Sequence, residues 1–289
     1  MHDDRDRGLL FDLQTMRRRQ LLGLMAAGGG ALMLQGCGGS GKSGTSATTA
    51  ATTTTTTTGT GTTGTGTTTG SASCVTTPVE TNGPYPADGS NMANGVLSNI
   101  LTTSGVLRSD IRSSFAGLSG TAAGVPLTLT VNLVNVNGAC AALADYAIYV
   151  WHADALGRYS IYDLPQENYL RGIQTTNANG HATFTTVFPG CYAGRYPHIH
   201  FEVFRSLSAA TAYANRSLVS QFALPAAACQ AVYANGVYGQ SAQRLAQTSL
   251  ASDNIFADNT AAQVASMTIA LTGDASAGYT GSVTVGLAV

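Results

Sequence analysis

The clearest pattern in this chain is an alternation of apolar and polar residues that begins well after the N-terminus and recurs as far as the last residue. Between Leu127 and Leu133, leucine and valine occupy every second position, with threonine and asparagine between them. Alternation of this kind predicts β-strands that bury one face. The predicted strands are Leu127–Leu133, Ala147–His152, Ala182–Phe188, Pro197–Phe204, Met267–Thr272 and Val283–Val289.

Short segments rich in glycine, asparagine and serine separate these strands. Helical periodicity is weak, with one candidate helix at Ser241–Leu250. Many short strands joined by turns are typical of a β-sandwich. Residues 74–289 are numerous enough to enclose one such core with long loops. We therefore predict an all-β fold with a single β-sandwich domain over residues 74–289.

Residues 1–37 have the features of an export signal. Arg17–Arg19 precede a glycine-rich apolar stretch of about 15 residues, shorter than the roughly 20 residues of a membrane-spanning helix. The arginines resemble a twin-arginine signal, and Leu34–Cys37 resembles a lipobox in which Cys37 is a candidate for lipid attachment. We expect an exported protein, periplasmic or at the cell surface. The alternative is a cytosolic protein with an apolar N-terminal helix.

Residues 38–73 differ from both flanking segments, because they are almost wholly threonine, glycine, serine and alanine. Such a segment cannot bury enough apolar surface to offset the entropy that it would lose on ordering. We expect a disordered linker that holds the following domain away from a surface.

The charge of the chain excludes several functions. Charged residues make up only 10% of it, against about 25% in an average soluble protein. Residues 74–289 contain eight arginines, no lysine and eleven acidic residues, a formal charge of −3. A domain without a basic surface is not expected to bind nucleic acid. The absence of lysine from it excludes Schiff-base and P-loop chemistry.

Four cysteines follow the leader, namely Cys74, Cys140, Cys191 and Cys229. An even number in an exported domain favours two disulfides, for which three pairings exist. Free buried thiols are the alternative. The wide spacing of these cysteines does not match a zinc knuckle or ribbon.

The strongest local signal for chemistry is His198-Ile199-His200. Side chains two residues apart on a strand share a face, so the two imidazoles are placed as half of a metal site. The alternative is a pair of buried, hydrogen-bonded histidines. Glu202 shares this face and would complete a two-His-one-carboxylate site for Fe(II). Its Cα, however, lies about 13 Å from that of His198 along an extended strand, which disfavours it as a ligand.

Tyrosine is the commonest aromatic residue, with 12 of the 21 aromatic side chains. Tyr159 and Tyr192 lie in turn-rich segments ahead of the two histidines. A phenolate is a hard anionic ligand, and a trivalent iron would lower the phenol pKa far below its usual value of about 10. Two phenolates and two imidazoles would therefore suit Fe(III). The alternative role of each tyrosine is packing or hydrogen bonding.

An ordered series of motifs runs from about Cys74 to the C-terminus. It comprises Thr77–Tyr85, Leu107–Arg112, Val150–Ser160, Tyr169–Thr176, Gly180, Phe184–Thr186, Phe188–Arg195 and Pro197–Phe201. This series resembles the intradiol ring-cleavage dioxygenases, on the protocatechuate 3,4-dioxygenase side of that family. We expect no helical dimerisation domain of the catechol-dioxygenase type before it.

The resemblance implies one Fe(III) per chain, and it implies that Tyr192 also accepts a proton from the substrate. The ligands that it implies are Tyr159, Tyr192, His198 and His200. By the same resemblance, Arg195 lies against the substrate and Gln221 lies beside the site. The segment Gly83-Pro84-Tyr85 would line the substrate pocket.

Cys191 stands where the resemblance leads us to expect tryptophan or another bulky residue. This departure makes Cys191–Cys229 a candidate disulfide, with Cys74–Cys140 as the remaining pair.

The reaction that the resemblance implies is cleavage of a catechol-type ring by O2 between the two hydroxylated carbons, which gives a muconate-type diacid. The expected partners are a small catechol-type substrate and O2, and the oligomeric state is left open. One alternative is a surface-tethered β-sandwich that binds aromatic compounds or a metal without turnover. Another is a hydrolase or extradiol enzyme that uses Fe(II) or zinc with His198, His200 and a carboxylate.

Overall fold

Two β-sheets form the framework of the computed structural model, which describes residues 74–289. The strands are β1 (Asp88–Ala93), β2 (Val96–Asn99), β3 (Pro126–Asn135), β4 (Ala141–Ala142), β5 (Ala147–Trp151), β6 (Arg171–Thr175), β7 (His181–Val187), β8 (His198–Phe204), β9 (Arg216–Ala223), β10 (Ala270–Asp274) and β11 (Gly278–Leu287). The helices are α1 (Ala226–Tyr233), α2 (Ser241–Leu245) and α3 (Ala261–Met267). The predicted all-β sandwich is confirmed. The predicted leader and linker, residues 1–73, lie outside the described residues.

Strand β3 is the centre of a five-stranded sheet. It pairs in parallel with β11 on one side and antiparallel with β7 and β4 on the other, and β10 extends the sheet beyond β11. Its alternation places Leu127, Leu129, Val131 and Leu133 in the core. The intervening Thr128 and Thr130 lie on the opposite, partly exposed face. The period-two pattern is therefore clear in β3 because only one face of the strand is fully buried.

The second sheet has four antiparallel strands in the order β6-β5-β8-β9. Both of its faces are covered, so β5 and β8 are buried along their whole lengths. In β8, Ile199 and Phe201 pack in the same hydrophobic cluster as Leu129 of β3. The pleat therefore points His198 and His200 away from the five-stranded sheet.

An N-terminal segment, residues 83–106, covers the face of the four-stranded sheet that carries the histidines. Ala87, Ile100 and Leu101 of this segment join Tyr149 and Trp151 of β5 in a second hydrophobic cluster. Strands β1 and β2 form a separate hairpin within the segment. The histidine face is thus enclosed between sheet and cover rather than open to solvent.

Several predicted boundaries are wrong, and β11 runs from Gly278 to Leu287 rather than from Val283 to Val289. Met267 ends α3 and β10 begins only at Ala270, because a capping box between Thr260 and Gln263 starts a helix there. The predicted helix Ser241–Leu250 is helical only over Ser241–Leu245. Within residues 74–289, no helix is long and apolar enough to cross a membrane.

The cysteines form one disulfide among the described residues. Cys74 is bonded to Cys140, so this predicted pair is confirmed. The predicted Cys191–Cys229 disulfide is wrong, because both residues are free thiols buried in the main core. The Cys191 thiol is directed at the backbone oxygens of Tyr192 and Arg195, and burial raises its pKa to about 12.

Candidate metal centre

His198 and His200 bring two ring nitrogens together on the covered face of β8. The Nε2 atoms of the two rings lie 3.0 Å apart. His198 Nδ1 donates a hydrogen bond to the Tyr196 carbonyl oxygen at 2.5 Å, which leaves Nε2 of the neutral ring without a proton. Burial lowers the pKa of both histidines, and the charge of Arg195 lowers that of His198 further. Both rings are therefore neutral at physiological pH, the form in which histidine binds metals.

Packing rather than hydrogen bonding holds the ring of His200. The ring stacks on the indole of Trp151, with 4.9 Å between centroids and 8° between planes. On the N-terminal side Gly83 lies so close that a Cβ there would be 3.0 Å from His200 Cε1. The Nδ1 atom of His200 is buried and has no hydrogen-bond partner among residues 74–289.

Two tyrosines approach the histidine pair from loops. The Tyr192 hydroxyl oxygen is 3.4 Å from His198 Nε2. The Tyr159 ring centroid lies 5.7 Å from that of Tyr192 and 6.1 Å from that of His200. Burial raises the pKa of Tyr159 above its ordinary value, so the chain by itself keeps this phenol neutral.

This cluster fits a metal ion of the kind that the sequence predicts. Two nitrogen ligands at about 2.1 Å from one metal and at right angles are about 3 Å apart, which is the separation of the two Nε2 atoms. A nearby trivalent cation would ionise phenols that burial otherwise keeps neutral. Within residues 74–289, no group of three or more His, Cys, Asp and Glu side chains could hold a metal, so a centre here depends on the tyrosine oxygens. The assignment of all four side chains as ligands stays a prediction.

Glu202 does not complete a two-His-one-carboxylate group. It is fully buried beside Asp88, and burial followed by the charge of Asp88 raises the pKa of Glu202 well above its ordinary value. A carboxyl group held neutral in this way is a poor metal ligand. The strand geometry disfavoured Glu202 as a metal ligand, and the structure agrees with that expectation.

Arg195 is buried next to the cluster and is held by two side chains. Its Nε atom donates to Asp253 Oδ2 at 2.9 Å, and Nη2 donates to Gln221 Oε1 at 2.6 Å. Its Nη1 atom reaches the Tyr192 hydroxyl at 3.5 Å. Gln221 lies opposite His200 on β9 and also donates to the Thr81 carbonyl oxygen. The structure thus brings the two predicted residues Arg195 and Gln221 together beside the candidate ligands.

Asp253 is the residue of this network that the sequence did not indicate. It is 1% exposed, and it also accepts hydrogen bonds from the backbone of Tyr196, Ile255 and Phe256. Burial alone would raise the pKa of Asp253, but the charge and hydrogen bonds of Arg195 bring it below its ordinary value. A buried arginine needs a buried anion or a full set of hydrogen-bond acceptors. That rule was the only available signal, and it does not say which of the acidic residues supplies the charge.

The predicted pocket residues Gly83, Pro84 and Tyr85 lie at the site but have different positions. Gly83 lies beside the ring of His200. Tyr85 stacks on Tyr159 at 4.5 Å between centroids and borders a cavity of about 330 Å³ that Tyr192 also lines. Pro84 lines a second cavity, which Tyr85 also borders. Their role in substrate binding stays a prediction.

Fold and site together are a β-sandwich with a buried cluster of two histidines and two tyrosines. The sequence model of a family described as Dioxygenase (Dioxygenase_C) matches residues 111–272, more than half of the chain. The chain therefore belongs to this family, the intradiol ring-cleavage dioxygenases that its motifs resemble. Family and fold support cleavage of catechol-type rings in general.

The solved structures that the chain resembles are distant in sequence. An intradiol ring-cleavage dioxygenase from Tetranychus urticae is 23% identical with a TM-score of 0.54, covering 74% of this chain and 95% of that one. The dioxygenase domain of a dioxygenase and carbohydrate-binding protein fusion from Streptomyces sp. SirexAA-E is 21% identical with a TM-score of 0.45, covering 74% and 99%. Catechol 1,2-dioxygenase from Pseudomonas arvilla C-1 is 19% identical with a TM-score of 0.44, covering 73% and 62%. The likeness to the Tetranychus protein supports the fold alone. The sequence has no significant match among curated proteins.

Proposed function

We propose that the protein is a non-haem Fe(III) dioxygenase that cleaves catechol-type rings between the two hydroxylated carbons. The observation that carries the proposal is the convergence of two neutral imidazoles and two phenols in one buried cluster next to a buried arginine. Tyr159, Tyr192, His198 and His200 would hold the ion. Bound Fe(III) would supply the Lewis acidity that makes a catecholate reactive toward O2. Both atoms of O2 enter the product as the ring bond breaks, so the reaction needs no external reductant.

The chain's own residues supply proton transfer and charge. Tyr192 is the candidate base, since its hydroxyl oxygen lies 3.4 Å from His198 Nε2 and the residue lines the 330 Å³ cavity where a substrate would enter. Arg195 places a fixed cation near that oxygen, which would stabilise the negative charge that develops on the substrate. Asp253 and Gln221 keep the guanidinium in place.

The proposal is tested by oxygen uptake of the iron-loaded full chain with catechol, protocatechuate and hydroxyquinol, with identification of the products. Muconate-type diacids in a one-to-one ratio with the O2 consumed are expected. A semialdehyde would indicate extradiol cleavage instead. Binding of catechols without oxygen uptake would favour the non-catalytic binding protein.

The ligand set is tested by visible spectroscopy of the iron-loaded protein. Phenolate ligands give Fe(III) a visible charge-transfer band, so we expect a coloured protein whose band changes in Tyr192→Phe and again in Tyr159→Phe. We expect kcat of Tyr192→Phe to fall roughly hundredfold with loss of the base. The matched control is Tyr213→Phe, a half-buried tyrosine outside the cluster. A band that survives both ligand substitutions would contradict the assignment.

We also propose that the protein is exported and attached to a membrane or cell surface through Cys37. The N-terminal motifs support this location, and so does the Cys74–Cys140 disulfide, since such bonds persist in oxidising compartments. Cell fractionation is the test. Replacement of Arg17 and Arg18 by lysine is expected to retain the protein inside the cell, and Cys37→Ser is expected to release it from membranes. Equal distribution of wild type and variants would contradict the proposal.

A further inference from the structure

Two cavities meet at the ring of Tyr85. The first, of about 330 Å³, lies between Tyr85 and the candidate ligand Tyr192. The second, of about 310 Å³, lies between Tyr85 and the β1–β2 hairpin. Tyr85 and Asp163 line both cavities, so the two spaces share one wall.

Three tyrosine rings lead from the metal centre to the second cavity. The Tyr85 centroid lies 6.4 Å from that of Tyr192 and 5.3 Å from that of Tyr162, each in an edge-to-face arrangement. Tyr162 lines the second cavity. The side chains between Tyr192 and the second cavity are therefore aromatic, and a substituent on a ligand near Tyr192 would contact them.

The volume of these cavities exceeds what one aromatic ring requires. A cavity of about 150 Å³ is enough to bind benzene. Each of the two spaces offers roughly twice this volume, so a simple catechol would occupy only part of the first and none of the second.

The second cavity favours an apolar substituent. Its wall includes Pro84, Tyr85, Tyr162 and Met92 of β1. Met92 is 67% exposed, and its cross-strand neighbour Leu97 is 61% exposed, so the hairpin presents apolar surface at the rim. Burial of such surface by a ligand is favourable.

The negative charge of Asp163 disfavours an anionic substituent in this second cavity. The carboxylate of Asp163, which accepts a hydrogen bond from the backbone nitrogen of Tyr159, lines it. A substrate carboxylate placed here would face a like charge. A neutral aryl group meets apolar walls and aromatic edges instead.

We propose that the second cavity is a substrate subsite for a neutral aryl substituent, so that the preferred substrates are aryl-extended catechols rather than single-ring ones. The inference rests on the proposed ring-cleaving function and specifies its substrate class. Tyr85 would contact the junction between the two rings. Met92 would cover the outer ring.

Steady-state kinetics of the iron-loaded full chain test the subsite, with catechol, protocatechuate and 4-phenylcatechol as substrates. We expect kcat/KM for 4-phenylcatechol to exceed that for catechol by at least about tenfold, and we expect Met92→Glu to reduce this ratio by about tenfold. The matched control is Val96→Glu on the same hairpin, a residue that is 68% exposed and lines neither cavity. This variant should keep the wild-type ratio, and thermal unfolding of both variants verifies that they fold.

The possible outcomes distinguish failure of the proposed subsite from failure of the proposed ring-cleaving reaction. Equal ratios in wild type and Met92→Glu, or a preference for protocatechuate over 4-phenylcatechol, would overturn the inference while leaving ring cleavage intact. If no catechol is consumed, the proposed function fails. Saturable binding of 4-phenylcatechol that Met92→Glu weakens and Val96→Glu does not would then still support the subsite, and binding that is equal in all three proteins would refute it.

Discussion

Gly83 lies where the N-terminal segment crosses the imidazole of His200. A histidine that binds a metal usually donates its second ring N–H to a hydrogen-bond acceptor, which fixes the orientation of the ring. Within residues 74–289 His200 Nδ1 has no such partner, and the ring is clamped between Gly83 and the indole of Trp151. For His200 as a proposed metal ligand, steric fit would replace the usual hydrogen bond, and this fit requires the absence of a side chain at residue 83.

Gly83→Ala is therefore expected to weaken iron binding. The residue has φ of +69°, and the added Cβ would stand 3.0 Å from His200 Cε1. Gly95→Ala is the matched control, because Gly95 has φ of +82° but no atom within 4 Å of the added Cβ. Both variants should lose about 1 kcal/mol of unfolding free energy from backbone strain alone. Only Gly83→Ala should lose bound iron, as measured by metal analysis. Equal iron content in the two variants would show that the clamp does not matter.

Asp253→Asn tests how much the carboxylate that pairs with Arg195 contributes to stability and to kcat. The pair is buried, at 2% and 0% side-chain exposure, so loss of the anion leaves an uncompensated buried cation. We expect the free energy of unfolding, measured in urea, to fall by about 3 kcal/mol. The kcat should fall as well, because Arg195 would no longer be fixed beside Tyr192.

The control for Asp253→Asn is Asp110→Asn, which removes the partner of Arg112 at the surface. That pair is 40% and 51% exposed, and an exposed ion pair contributes about 1 kcal/mol or less. A loss of stability of similar size in the two variants would mean that the buried pair has no special role.

The candidate site could be predicted only in part from the residues. The shared face of His198 and His200 followed from the two-residue period of a strand, and the motif series indicated Tyr159, Tyr192, Arg195 and Gln221. Asp253 could not be found in this way, because it lies 58 residues from Arg195 in an irregular loop. Tertiary folding alone brings the two together.

His152 connects the two sheets at the end of β5. Its Nε2 atom lies 2.7 Å from the hydroxyl oxygen of Thr186 on β7, and its Nδ1 atom donates to the Ala153 carbonyl oxygen at 2.8 Å. Burial is the main reason that the pKa of His152 is lowered to about 4. The ring is therefore neutral in the folded protein over most of the pH range.

The stability of the sandwich should consequently depend on this histidine at acid pH. Between about pH 6.5 and pH 4 the unfolded chain binds the proton that folded His152 does not, so stability falls as the pH falls through this window. The contribution is about 3 kcal/mol, complete above pH 6.5 and lost near pH 4. Urea unfolding of the iron-free protein at pH 7.5 and pH 4.5 measures it. His152→Gln should reduce the difference between the two pH values by most of this amount, whereas replacement of the exposed His181 by glutamine should leave the difference as in wild type.

Strands differ in how far the sequence predicts them. In β3 and β11 one face is less buried than the other, so alternation marks them clearly. Strand β6 was not predicted, because its sequence Arg171-Gly172-Ile173-Gln174-Thr175 has no apolar face. Arg171 is nevertheless 1% exposed, since its guanidinium donates to Ser160 and to the Pro86 carbonyl oxygen. The strand β6 therefore forms because it pairs with β5 and because Arg171 makes these hydrogen bonds. Its hydropathy pattern does not mark it as a strand.

At the scale of the whole molecule, reduction of the Cys74–Cys140 disulfide should destabilise the protein by about 4 kcal/mol. The bond closes a loop over a sequence separation of 66, and the loss of this constraint increases the entropy of the unfolded chain. Urea unfolding with and without a reducing agent measures the effect. A variant with serine at both positions should already have the lower stability and should not respond to the reductant. An unchanged unfolding free energy on reduction of the wild type would contradict the prediction.

The same disulfide determines how the protein responds to pulling. Tension applied to the chain at Cys74 passes directly across the sulfur bridge to Cys140, beside the short, exposed strand β4 that pairs with β3. The intervening stretch, which contains Gly83, Tyr85 and the β1–β2 hairpin, then carries none of the force. For the proposed form that is tethered by its N-terminus in moving fluid, the drag on the molecule would bypass the segment that covers the candidate metal centre. Reduction of the bridge would transfer that drag to this segment.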